Sequence, residues 1–192
     1  FGGGGGGGES GAAAAGGGAS STDGTVTVQG AATFDSVPNA TSGRLDYAAT
    51  SAKPIRGAVV EVVRAGSGGQ VLATGITGDD GSYALKVPVD TAVTLRVRAQ
   101  LTRTGAPNWD VTVRNNTAEG LPIYAIGSGD FSSGGSATLQ RSIHAPSGWG
   151  GTSYTSERAA GPFALLDTVY TNIGKVLSVE PQASFPALRV YW

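Results

Sequence analysis

Polar and apolar residues alternate with a period of two along most of the chain between Thr25 and Arg114. Thr25–Gln29 puts Val26 and Val28 on one side. Gly57–Arg64 is β-branched and nearly continuous. Ser82–Val87 sends Tyr83, Leu85 and Val87 one way. Ala92–Ala99 sends Val93, Leu95 and Val97 inward and Thr94, Arg96 and Arg98 outward, and Trp109–Arg114 repeats the scheme. Successive side chains of an extended chain point to opposite faces, so each run predicts a half-buried strand. Turn signals separate them at Ala65–Gly69 and Gly78–Gly81, and Asn115-Asn116 closes the series. Short strands at such spacing predict a mainly β fold, an antiparallel sandwich.

The pattern then weakens and changes. Leu121–Ile126 reads as an edge strand because of Pro122, and Ala137–Ile143 alternates weakly. Phe163, Leu166, Val169/Tyr170, Ile173 and Val176/Leu177 recur at three and four residues. That is one amphipathic helix of about 16 residues, with Pro162 at its first position. Ala187–Trp192 reads as a last strand, and its aromatic close suggests a cut inside a larger protein. The expected organisation is a Gly/Ala-rich arm over 1–24, a β-sandwich over 25–145 and a helix-containing segment over 146–192. Tyr83, Leu85, Val93, Leu95 and Val97 are the expected core, with Arg96 and Arg98 exposed.

Composition narrows the function. Of the 32 glycines among 192 residues, 12 fall in the first 24. Such a segment buries too little apolar surface to offset its ordering entropy when alone. Charged residues make up 14% and the net charge is −1, which excludes a nucleic-acid binder that works by charge. No apolar stretch is long enough to span a membrane. Cys is absent, which removes disulfides, thiolate zinc sites and a cysteine nucleophile, and Met is absent even at position 1, as in a processed chain or a fragment.

Two stretches carry a resemblance. Lys53-Pro54-Ile55-Arg56-Gly57-Ala58-Val59-Val60-Glu61-Val62, followed by Thr77-Gly78-Asp79-Asp80-Gly81-Ser82-Tyr83-Ala84-Leu85, resembles the transthyretin-like group of β-sandwiches, which includes carboxypeptidase regulatory-like and Cna-B-type repeats. The resemblance covers roughly residues 25–100. It implies that Gly57 and Ala58 let the first strand pass close under a neighbour, that Asp80-Gly81 makes a hairpin turn, and that Tyr83 plugs the core end. Gly78 stands where that group usually has Asp. Ser147-Gly148-Trp149-Gly150-Gly151, Arg158–Tyr170 and Phe185–Leu188 resemble the N-terminal part of large secreted or lipid-anchored bacterial proteins in which a zinc-peptidase-like H-E-x-x-H helix follows. That helix has no counterpart here, and without a Cys lipidation is not expected.

Candidate chemistry is sparse. His144 is the single His, too little for a zinc site, and without a G-x-S-x-G turn it makes no nucleophile elbow; it is expected to be a loop or strand residue. Asp79, Asp80 and Asp90 offer oxygen ligands for calcium, but paired Asp before Gly is more often turn chemistry. Lys53, Lys86 or Lys175 would need burial beside an Asn to form an isopeptide. Gly2–Gly8 lacks the strand and Lys-Ser/Thr of a phosphate loop. Arg96, Arg98 and Arg114 form a modest basic stripe, expected to be a solvated face. Trp149 is either an exposed aromatic for a glycan or partner, or an indole folded back over a sheet.

These readings give no catalytic residues, metal ligands or cofactor. The expected function is a non-enzymatic extracellular or cell-surface structural protein, a subunit of a self-assembling polymer or filament held by its arm. Its partners are other copies of the same chain. Gly offers only its N–H, its C=O and close approach, which suits a three-fold extended helix or strand addition to a sheet edge. The candidate assembly residues are Gly2, Gly5 and Gly8 in the arm and Val26 and Val28 in the first strand. The alternative is an accessory N-terminal region of a secreted zinc-peptidase-like protein, without the catalytic domain.

Overall fold

The structure, a computed structural model, describes residues 20–66 and 68–192. The candidate assembly residues Gly2, Gly5 and Gly8 lie outside the described residues.

Eleven strands and one helix follow in order: β1 (Thr25–Ser36), β2 (Ser51–Pro54), β3 (Ala58–Arg64), β4 (Val71–Ile76), β5 (Ser82–Pro88), β6 (Ala92–Arg103), β7 (Trp109–Arg114), β8 (Ala125–Ser132), β9 (Thr138–Gln140), β10 (Ile143–Ala145), α1 (Ala160–Leu177) and β11 (Leu188–Tyr191). They form two open sheets packed face to face. In the first, the long β1 is central: β5 and β2 pair with it on one side, β9 and β10 on the other. The second runs β11-β7-β6-β3-β4, with β8 also on β6.

The alternation marks the core correctly. Tyr83, Leu85, Val93, Leu95 and Val97 are buried between the sheets with Val60, Val62, Phe34 and Ile55. Val26 and Val28 are buried in the same core, on a stretch of β1 paired with β5. Their side chains therefore present no free surface while β1 stays in its own sheet.

The sheets are mixed rather than purely antiparallel. β9 and β10 run parallel to β1, and β11 runs parallel to β7. A parallel neighbour needs a long crossover, and α1 lies on the connection that returns the chain to β11. The last strand is thus part of the second sheet. The turn at Gly78–Gly81 also differs from the hairpin expected. β4 pairs with β3 and β5 with β1, so the turn carries the chain from one sheet to the other. Gly81 is required there: its φ is +78°, and a Cβ would lie 2.4 Å from the Ala32 carbonyl oxygen.

Further departures follow from packing. Only Ile123 of the expected Leu121–Ile126 edge strand bridges to Arg114, and the strand proper begins at Ala125. α1 is 18 residues long, and Pro162 falls inside its first turn, where a backbone N–H has no partner to lose. The helix buries Pro162, Phe163, Leu166 and Ile173. The close neighbour of Gly57 is this helix rather than a strand, since the Tyr170 ring occupies the space of a Cβ.

Arg96 and Arg98 are not a solvated stripe. Glu61 on β3 is buried, and its carboxylate accepts from Arg96 Nε at 2.8 Å, Arg96 Nη2 at 2.6 Å and Arg98 Nη1 at 3.1 Å. A buried carboxylate needs such partners, and two half-buried guanidinium groups supply them. Arg114 instead donates to the Leu121 carbonyl.

Candidate functional site

The residues that sequence analysis flags are scattered. Asp80 Oδ1 accepts from the Ser82 backbone N–H at 2.9 Å, which is turn chemistry, and the Ser82 hydroxyl together with that N–H holds its carboxyl below the usual range. Asp79 accepts from the Tyr170 hydroxyl, while Asp90 lies at the other end of β5. Among the described residues no group of three or more His, Asp or Glu is placed to hold a metal ion. Lys53, Lys86 and Lys175 are all exposed.

His144 sits on β10, opposite Thr33 of β1. Its Nδ1 lies 2.9 Å from Thr33 Oγ1 and its Nε2 lies 3.1 Å from Asp35 Oδ1. Asp35 Oδ2 also accepts from the Ser147 backbone N–H at 2.7 Å. Both ring nitrogens are engaged, so the imidazole ties β1 to β10 and, through Asp35, to the loop that leads to α1.

That loop builds one side of a cleft. Gly148 has φ +78°, and a Cβ there would meet the Ser156 and Glu157 carbonyl oxygens at 2.6 and 2.7 Å. The backbone folds so tightly that Gly150 N–H bonds to Ser153 and Thr155 N–H to Gly148, at 2.8 and 2.9 Å. Trp149 and Tyr154 emerge as bridged neighbours. Against them stands Tyr47, carried on a 3-10 turn whose first N–H groups are capped by Asp46.

Tyr47 stacks on Trp149 with ring centroids 4.0 Å apart, and Tyr154 meets both edge-on at 6.0 and 5.4 Å. The Tyr47 and Tyr154 hydroxyls are hydrogen-bonded to each other, which raises the Tyr47 pKa. The Arg158 guanidinium lies 4.5 Å from the Tyr154 ring centre and 4.9 Å from that of Trp192. Trp192 in turn covers Gly161, where a Cβ would lie 2.2 Å from the indole. Of these, Tyr47, Tyr154, Arg158 and Trp192 line a cleft of about 270 Å³, with Asp35, Ala160, Ala164 and Leu165. Its lining combines small side chains, Leu45 and Leu165, three rings and one guanidinium. Such a surface can meet a ligand by ring contact and charge.

Trp149 is half-buried through its stacking on Tyr47 and its edge-on contact with Tyr154, and it is not folded back over the core between the sheets. Tyr47 and Tyr154 are not singled out by any motif, and Arg158 only opens the stretch Arg158–Tyr170 without a role of its own. The signal they leave is the spacing of lone aromatics in segments otherwise made of Gly, Ser, Thr and Ala.

No protein-family model matches the chain, and no curated protein matches it. A solved structure with some likeness is a 9R-lipoxygenase from Cyanothece PCC8801, 13% identical, with a TM-score of 0.34 over 63% of this chain and 16% of that one. The chain thus spans a small part of that protein, and a likeness of this size bears on neither fold family nor function. Among the described residues no helix is long and apolar enough to cross a membrane, which says nothing of β-barrels.

Proposed function

We propose that this chain is a non-enzymatic, extracellular or cell-surface structural protein, a transthyretin-like sandwich that assembles with other copies of itself. The supporting observation is at the rims of the second sheet. β4 and β11 are its two outer strands, each paired on one side among the described residues. Both leave large apolar side chains in solvent: Val71 at 44% and Ile76 at 49% exposure on β4, Leu188 at 42% and Tyr191 at 53% on β11. Open edges with apolar side chains in solvent are templates for another chain. Two such edges on opposite sides of one sheet allow contacts that propagate. The test is sedimentation and electron microscopy of the full chain over a concentration series. Regular polymers are expected; a chain that stays monomeric throughout refutes the reading.

A second reading, the accessory region of a secreted zinc-peptidase-like protein, draws on β11 alone. An edge strand that pairs only with β7 is a platform on which the sheet of a following domain would continue. A reading frame running on into an H-E-x-x-H helix supports it, and the 192-residue chain itself is then expected to bind no stoichiometric zinc.

A further inference from the structure

We infer that the aromatic cleft is the receptor for the Gly/Ala-rich arm, residues 1–19, of a second copy of this chain. The inference rests on the self-assembly reading and supplies the contact it needs.

Shape comes first. The helix forms the floor with Ala160, Ala164 and Leu165, Gly161 lying under the Trp192 ring, and Tyr47, Tyr154 and Trp192 line the cleft beside it. A segment with bulky side chains would be held off that floor. A run of Gly and Ala brings its backbone close to both surfaces, and Gly2–Gly8, Gly11–Ala15 and Gly16–Ala19 are made of nothing else.

Charge gives the register. Glu9 is the single charged residue in 1–19. Arg158 lines the cleft and has, among the described residues, ring contacts but no carboxylate partner. The other charged lining residue, Asp35, is already engaged by His144 and the Ser147 N–H. A Glu carried into the cleft on a small-residue segment therefore meets one free cation, stacked between two rings.

Polarity selects a second copy over the chain's own arm. Ser20 bridges to Ser136 beside the start of β1, whereas Asp35 and Val37 line the cleft at its far end. The 12 residues of β1 span about 40 Å. Its own cleft is reached only if the arm turns back and runs along the length of β1. A copy stacked end to end presents its cleft at the pole where the arm leaves. Such a contact is head-to-tail and does not close on itself.

The experiment measures assembly of full-length chains by sedimentation velocity and light scattering across concentration. Arg158→Glu and Glu9→Arg are each expected to raise the concentration for half-assembly at least tenfold. Mixing the two variants should restore assembly, because each arm then meets a cleft of opposite charge. Ala164→Phe, which fills the floor, should block assembly, with circular dichroism confirming that the sandwich is intact. Assembly unchanged in Arg158→Glu and Ala164→Phe overturns this inference and leaves the subunit reading standing. Failure of the mixture to restore assembly overturns it too. A wild-type chain monomeric even at millimolar concentration, its arm free or folded into its own cleft, overturns both.

Discussion

Glu61 and Arg96 face each other across β3 and β6, and one carboxylate oxygen takes both the Nε–H and an Nη2–H of the guanidinium. The second oxygen takes Arg98. Glu61 is buried while the two arginines keep about a third of their side-chain surface in water. Removing the carboxylate leaves two cations partly desolvated without a partner. Truncation of a fully buried pair costs roughly 3–5 kcal/mol, and the exposure of the arginines brings the expected loss for Glu61→Ala to about 2 kcal/mol. Urea unfolding checks this. A loss below about half a kcal/mol would mean that water already satisfies both guanidinium groups.

Leu95 stands next to Arg96 on β6, faces the other way and has no exposed surface. Leu95→Ala is expected to cost about 2–5 kcal/mol, through lost transfer energy and the cavity left between the sheets. Arg98→Ala, on the opposite face, should cost about 1 kcal/mol or less. Equal losses at the two positions would show that the strand does not sit in the register Val62↔Leu95.

The strands legible in the sequence are those that bury one face. Ser82–Val87 and Ala92–Ala99 alternate because one side meets the core and the other meets water. β4 carries no such signature: a bulge at Leu72 puts Val71 opposite Val63, while Ala73 and Gly75 sit opposite Val62 and Val60, and Gly75 makes room for Leu85 of the facing sheet. Glu61 hides inside a run of valines, because β3 is buried on both faces and the charge is neutralised only by β6. The parallel pairs depend on where the chain re-enters a sheet after α1 or β8, which no local period records. The cleft was the least legible part. Tyr47, Trp149, Tyr154 and Trp192 come from segments as much as 145 residues apart, and the sequence marks each ring without marking their meeting.

Alkaline pH should loosen the molecule through its buried phenols. Burial pushes the Tyr83 hydroxyl up to about 12, and burial together with the Asp79 carboxylate does the same for Tyr170. Unfolded tyrosine titrates near 10. A raised pKa means that the fold favours the protonated form. The contribution is complete below about pH 10 and is lost as pH rises toward about 12. Denaturant midpoints should therefore fall over that window. Tyr83→Phe gives up the bond to the Arg141 carbonyl, about 1 kcal/mol at neutral pH, and should show a shallower alkaline fall. An identical slope in the variant and the parent would rule out Tyr83 as a source.

Helix docking turns on Gly57 and Tyr170. Gly57 has φ +65°, and a Cβ there would lie 2.4 Å from the Tyr170 ring. On the same turn Arg56 packs 5.1 Å from the ring centre and binds Asp167 at 2.6 Å, while the Tyr170 hydroxyl donates to Asp79 at 2.6 Å. The helix is thus held against the end of the sandwich by one ring that only glycine can accommodate, with a polar contact on either side. Gly57→Ala meets two costs. A non-glycine residue in the left-handed region loses about 1–2 kcal/mol, and the ring must also move off its seat. Tyr170→Phe keeps the ring and loses one hydrogen bond to a carboxylate, about 1.5–3 kcal/mol at most and less here because the site is partly open to water. The expected order is therefore Gly57→Ala above Tyr170→Phe in loss of stability. The double variant should lose less than the sum, because the displaced ring has already given up its bond to Asp79. Hydrogen exchange over Ala160–Leu177 reads the docking directly. Faster exchange confined to the helix in Gly57→Ala fits this picture. Exchange unchanged there, with the loss spread evenly over β3 and β6, would place the cost of the substitution in the strand and not in the helix contact.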